Sequence, residues 1–220
     1  FTLKEVAGAT KYLAMAGMGL DDINNSIGTI TSLATATGTD IDVAADKITN
    51  LSTAFGISDY EALADMISGT VNNANIKMEG FSTAMEYSGS IAAQLGINFV
   101  DLSSTIGVLA DNGFKASKIG TGLRTMLANL SSPTKKGSEV LKKFNVELYE
   151  TIDGVTKMKS TDSIIRQLGK ASTAEMTALF GKTALAQMMA FRASVLDGSY
   201  DKKYGKINSA RGTTEENKEE

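Results

Sequence analysis

One proline, Pro133, stands in 220 residues. Proline removes a backbone donor and clashes with the preceding turn, so it stops helices. Its near absence leaves glycine, present 21 times, as the main punctuation. Between the glycines, apolar residues return every three or four positions, the period of a helix with one buried face. The pattern predicts an all-α chain, a compact bundle of about eight to ten short amphipathic helices.

The punctuation along the chain is regular. Residues 2–18 read as a first helix ended by Gly17 and Gly19, and Asp21 or Asp22 is expected to cap a second. Ile41, Ala44, Ala45, Ile48, Leu51 and Phe55 form the stripe of a third, closed by Gly56. Ser58 with Glu61 reads as a capping box for a fourth. Helices around Phe81–Leu95, Phe99–Asp111 and Lys115–Leu130 follow, and Pro133 is placed just inside the start of another that runs to Phe144. The texture changes at Asn145. Val146, Leu148 and Ile152 alternate with polar residues, and Asp153–Gly154 is a tight-turn signal, so a small β-hairpin is expected near residues 146–158. Helices resume from Ser163 to Val195, interrupted at Gly169 and Gly181. The expected domains are 1–144, a helical core; 145–197, the hairpin and C-terminal helices packing on it; and 198–220, a polar, disordered tail. Asp22-Ile23-Asn24-Asn25-Ser26-Ile27-Gly28 is echoed by Asp101-Leu102-Ser103-Ser104-Thr105-Ile106-Gly107, which allows either a pseudo-duplicated bundle or a chance likeness of two capped helices.

Composition narrows the chemistry. There is no Cys and no His, so disulfides, thiolate nucleophiles, imidazole bases and the usual zinc ligands are unavailable. A net charge of −3 gives no case for specific nucleic-acid binding, which needs clustered Lys and Arg. No stretch approaches the roughly 18–20 apolar residues of a membrane helix, so no stable membrane insertion is expected. Residues 1–20 do not read as a signal peptide, and a start at Phe1 rather than Met reads as a piece of a longer protein.

The remaining candidates each have a plainer explanation. Gly181-Lys182-Thr183 resembles the end of a phosphate loop, but the required earlier glycine is Met176. Gly120-Thr121-Gly122 lacks the third glycine of a dinucleotide loop, where Thr125 stands, and fits close helix packing. Asp21/Asp22 suit a helix start, Glu147/Glu150 fall in the hairpin, and Asp40/Asp42 lack the rest of a calcium loop. Ser117 beside Lys118 reads as helix surface, and the methionines as core filling. We therefore assign no catalytic, cofactor-binding or metal residue, expect no cofactor, and expect no enzymatic activity.

One segment carries more than physics. Gly113-Phe114-Lys115-Ala116-Ser117-Lys118-Ile119-Gly120-Thr121-Gly122-Leu123-Arg124, continuing through an apolar helix to Pro133-Thr134, closely resembles the signature region of phage tail tape-measure proteins. Ala54-Phe55-Gly56-Ile57-Ser58, Leu95-Gly96-Ile97 and Leu179-Phe180-Gly181-Lys182-Thr183 are similar to that family's helix joints and closing segment, so the resemblance covers residues 1–197.

The resemblance implies a structural and assembly protein of the virion tail, made in the host cytoplasm, that scaffolds tail-tube assembly, sets tail length and aids genome delivery. It implies tail-tube subunits, tail assembly chaperones and distal tail or baseplate proteins as partners, with self-association open. It supplies no catalytic residues for this region. The alternative reading is a membrane-active or cell-wall-degrading module used in phage entry. A ruler would show long unbroken heptads, whereas the frequent glycine stops here predict a folded domain within an otherwise extended protein.

Overall fold

The computed structural model describes residues 1–210. They form eleven helices and one two-stranded hairpin. The all-α expectation, hairpin included, is borne out. The chain divides into two compact units, residues 1–73 with 205–210, and residues 74–204. This division falls at 73/74, within the expected 1–144 segment, and the hairpin that follows Asn145 lies inside the second unit.

The first unit holds α1 (Leu3–Met15), α2 (Leu20–Thr37), α3 (Ile41–Phe55) and α4 (Tyr60–Asn72). α1 packs on α3 and α2 on α4. The apolar stripes meet at Leu13, Ile30, Leu33, Ile48, Leu63 and Ile67, all fully buried. Each such side chain contributes about 1.5–3 kcal/mol of burial.

The second unit holds α5 (Met78–Gln94), α6 (Phe99–Asp111), α7 (Ala116–Ser131), α8 (Lys135–Lys143), the strands β1 (Tyr149–Ile152) and β2 (Val155–Met158), α9 (Thr161–Gln167) and α10 (Thr173–Leu196). α6 is the centre, buried from Phe99 to Ala110 on every side. α5 and α7 pack closely on one another, and α7 and α8 pack on α10. The final helix α11 (Ser199–Ser209) begins in the second unit and ends in the first.

One device builds most of the joints. At Gly17, Gly38, Gly56, Gly96 and Gly113 the backbone turns left-handed. The next N–H then returns to a carbonyl five residues back, as from Ile97 to Ala92 at 2.9 Å and from Phe114 to Leu109 at 3.2 Å. This is the Schellman stop, and the apolar residue after each of four of these glycines seals the helix end. Asn145, with φ of 50°, makes the same turn before the hairpin. There Asp153 and Gly154 take φ of 52° and 79°, a type I′ turn, and Tyr149 pairs with Met158 across the ladder.

Several local expectations are corrected. Asp21 and Asp22 do not cap α2: Gly19 does, and the two carboxylates occupy the first turn, where the helix dipole favours them. The Ser58–Glu61 box does not form, because Asp59, one residue closer, accepts from Ala62 N at 2.9 Å. Capping boxes form instead at Thr2/Glu5 and Ser172/Glu175. Pro133 lies outside α8, before its cap Thr134, whose hydroxyl accepts from Gly137 N at 3.1 Å. The tail expected to be disordered from residue 198 is helical over Ser199–Ser209. Its anchors are Tyr200 and Ile207, both buried. The rest of that expectation, residues 211–220, lies outside the described residues. The echoed segments do share a register, since Asp22 and Asp101 are each the third residue of their helix.

Candidate functional site

The signature helix α7 is built for close approach. A methyl added at Gly120 would sit 2.8 Å from the Ala84 carbonyl oxygen and 2.7 Å from Tyr87 Cβ. Only a glycine lets α5 and α7 come this near. At Gly122 the added carbon would meet the Gln187 side chain at 3.2 Å, so α10 lies as close on another side. Ile119, Leu123, Met126, Leu127 and Leu130 then fill the space between these contacts. Gly113 makes the turn into α7, and Thr134 caps the helix after it. The glycines and apolar residues of the motif are thus explained by packing. Lys115, Lys118 and Arg124 of the same motif face outward and are exposed.

The chemically unusual group is one that sequence reasoning did not single out. Asp101 follows the Asn98 cap, which accepts its N–H at 2.8 Å, and its carboxylate turns into the core rather than to solvent. It is fully buried. Thr161, first residue of α9, donates its N–H to Oδ2 at 2.8 Å and its hydroxyl to Oδ1 at 2.5 Å. Tyr200 of α11 donates its hydroxyl to Oδ1 at 2.6 Å. Thr105 stands 3.0 Å from the Thr161 hydroxyl and donates to the Asp101 backbone carbonyl at 2.9 Å. The Tyr200 ring is fixed edge-on against Phe191, with centroids 5.6 Å apart. Three helices distant in sequence are clasped on one carboxyl group.

The electrostatics follow from this geometry. Burial pushes the Asp101 carboxyl above its usual range, against the hydrogen bonds from Thr161 and Tyr200 that stabilise the anion. Burial, then the neighbouring Asp101 charge, pushes the Tyr200 phenol up. The network accommodates a proton without breaking. Asp101 would donate to the Thr161 hydroxyl, Thr161 to Thr105, and Thr105 to the Asp101 backbone. Such a clasp holds helices together.

The other candidates remain separate. Asp21 and Asp22 are exposed on α2, while Asp42 accepts from Val43 N at 2.8 Å in the first turn of α3, whose cap is Asp40. Glu147 pairs with Lys159 at 2.5 Å and Glu150 with Lys157 at 3.8 Å. Gly181 breaks α10 in two with φ of 74° and ψ of 167°, between helical segments rather than after a strand. Ser117 and Lys118 are exposed on α7. Among the described residues no cluster of three or more carboxylates gathers to hold a metal, and no helix is long and apolar enough to cross a membrane.

Residues 1–209 match the family described as phage-related minor tail protein. The chain is 25% identical over 197 residues to the tape measure protein of Pneumococcus phage Dp-1, covering 86% of this chain and 17% of that protein. It is 26% identical over 221 residues to the probable tape measure protein of Escherichia phage P2, covering 96% of this chain and 27% of that protein. The chain thus spans between about a sixth and a quarter of these relatives. No solved structure matches.

Proposed function

Since the chain belongs to the phage-related minor tail protein family, with a structural role in the virion tail, we propose that it is the folded docking segment of a tape-measure protein, acting in tail assembly without catalysis. The observation that carries this reading is the burial of the signature motif. Its glycines and apolar residues are spent on packing α5, α7 and α10 into a compact unit, and its cations remain outside for a partner.

The helix lengths argue in the same direction. The longest helix has 24 residues and is itself broken at Gly181. At ~1.5 Å per residue the longest unbroken helix, α2 with 18 residues, spans ~27 Å, whereas a continuous helix over the described residues would span ~315 Å. A chain folded back this many times is poor ruler and good anchor. In this reading the segment docks on tail-tube subunits, assembly chaperones or distal tail proteins in the host cytoplasm, while extended parts of the longer protein set tail length.

The test is an in-frame deletion of residues 1–197 from the parent gene, with tails measured by electron microscopy. Loss of tails, or tails of uncontrolled length, is the expected result. Tails uniformly shortened by ~1.5 Å per deleted residue would make the segment ruler and overturn the docking role. Tails of normal length on non-infectious particles would move the role to genome delivery.

A further inference from the structure

The two edges of the hairpin differ. Its two-residue turn makes Ile152 and Val155 exchange hydrogen bonds inward, as Glu150 and Lys157 do. Glu147, Tyr149 and Thr151 on one side, and Thr156 and Met158 on the other, therefore direct their backbone groups outward. On the β2 side, Met158 N–H donates to the Leu95 carbonyl at 2.8 Å and Gly96 closes on Lys157, so the chain itself covers that edge at Met158 and leaves the single Thr156 rung beside the turn.

The β1 side is different. Glu147 has both outward groups satisfied by one carboxamide: its N–H donates to Gln167 Oε1 at 2.9 Å, and Gln167 Nε2 donates to its carbonyl at 3.4 Å. Gln167 imitates the first rung of a third strand. The next two rungs, at Tyr149 and Thr151, have no partner for either backbone group among the described residues. Apolar side chains lie along this strand, with Tyr149 and Ile152 each 45% exposed.

Charge selects the occupant. β1 carries Glu150, which lies 3.8 Å from Lys157 of the other strand yet stays over a third exposed, and Asp153 follows it in the turn, so the open side is the acidic one. A second copy fits poorly. The antiparallel register that fills both open rungs places Glu150 opposite its own counterpart, and directly opposed like charges destabilise a sheet. We propose that the outer edge of β1 is a strand-addition site for an extended segment of a different protein, β-branched in composition, with Lys or Arg opposite Glu150. This rests on the geometry and charge of the hairpin and stands apart from the docking role proposed above.

The experiment is amide exchange by NMR on the isotope-labelled chain. The probe is a capped pentapeptide of alternating valine and threonine around a central lysine, at about millimolar concentration. Exchange at the Tyr149 and Thr151 amides should slow by about tenfold or more, while the Glu150 and Ile152 amides, already bonded, should change little. A peptide N-methylated on its pairing face should have no effect, and one with glutamate in place of lysine should be several-fold weaker. No protection at Tyr149 and Thr151, or equal protection by the N-methylated peptide, overturns strand addition. Equal protection by the glutamate peptide overturns the basic occupant. In sedimentation, Glu150→Thr should promote dimerisation through β1. Protection of Tyr149 and Thr151 that rises with concentration of the unmodified chain alone would make the occupant a second copy and overturn the assignment.

Discussion

Asp22 and Asp101 hold the same place in the same seven-residue pattern, and each is the third residue of its helix. Asp22 is exposed, in a segment of which only Ile23 and Ser26 are buried. Asp101 lies in a segment buried throughout, from Asp101 to Gly107. Local sequence determines that both helices start this way, with a carboxylate beside the first turn. What it does not determine is what folds over that turn. In α6 the cover arrives from Thr161 and Tyr200, 60 and 99 residues later in the chain. The same acid is a surface dipole partner in one helix and the keystone of a core in the other.

The largest effect should come from removing the two acids in turn. Asp101→Ala strands the Thr161 N–H and the Tyr200 hydroxyl in the core, leaves the Thr161 hydroxyl only Thr105, and should cost about 3–5 kcal/mol. Asp22→Ala loses only a first-turn charge and should cost about 0.5 kcal/mol. Urea denaturation of both variants decides the matter, and equal losses would break the comparison. The glycines give a second ordering. Gly28 has open space around it and ends the α2 pattern, so Gly28→Ala should stabilise by about 0.5–1 kcal/mol. At Gly107 the added carbon meets Ala74 Cβ and Lys203 Cδ, each at 3.3 Å. Gly107→Ala should therefore fall below Gly28→Ala by about 1 kcal/mol or more. Gly120→Ala, pressed against backbone of α5, should be worst of the three, at about 1–3 kcal/mol of destabilisation. Thermal melts of the three variants test the order.

How much of this was legible in the sequence depends on the range of the interaction involved. Gly17, Gly56, Gly96 and Gly113 announce helix ends because the left-handed turn is a local demand, and Asp153–Gly154 announces the hairpin for the same reason. The stripe of α3 and the packing role of Gly120 could also be read from spacing. The capping boxes at Thr2/Glu5 and Ser172/Glu175 were readable from Ser/Thr and Glu three apart. α11 was hidden by its polarity, yet Tyr200, Tyr204 and Ile207 stand at helical spacing and were the available signal. The Asp101 clasp had no such signal. Nothing near Asp101 distinguishes it from Asp22, since its partners are chosen by tertiary packing. The open edge of β1 is of the same kind, because a ladder's unpaired side shows only once Gln167 and Leu95 are in place.

The smallest effect is a dependence on pH, and its sign separates the clasp from the surface. Burial raises the Asp101 pKa in the folded state, so the folded chain holds this proton more tightly than the unfolded chain. Its stabilising contribution is full below the ordinary carboxylate range and is lost as pH rises through the folded-state value. Glu175 behaves oppositely. The Lys143 ammonium at 2.6 Å, with the Ser172 cap, lowers its carboxyl to about 2. Its contribution is present above the ordinary carboxylate range and is lost as pH falls toward that value. Denaturation of the parent chain, Asp101→Asn and Glu175→Gln from about pH 3 to about pH 8 should show the two differences from the parent changing in opposite directions. If the Asp101→Asn difference instead grows with rising pH, the carboxylate is held as an anion by its three donors, and the clasp is an anion site rather than a proton-sharing one.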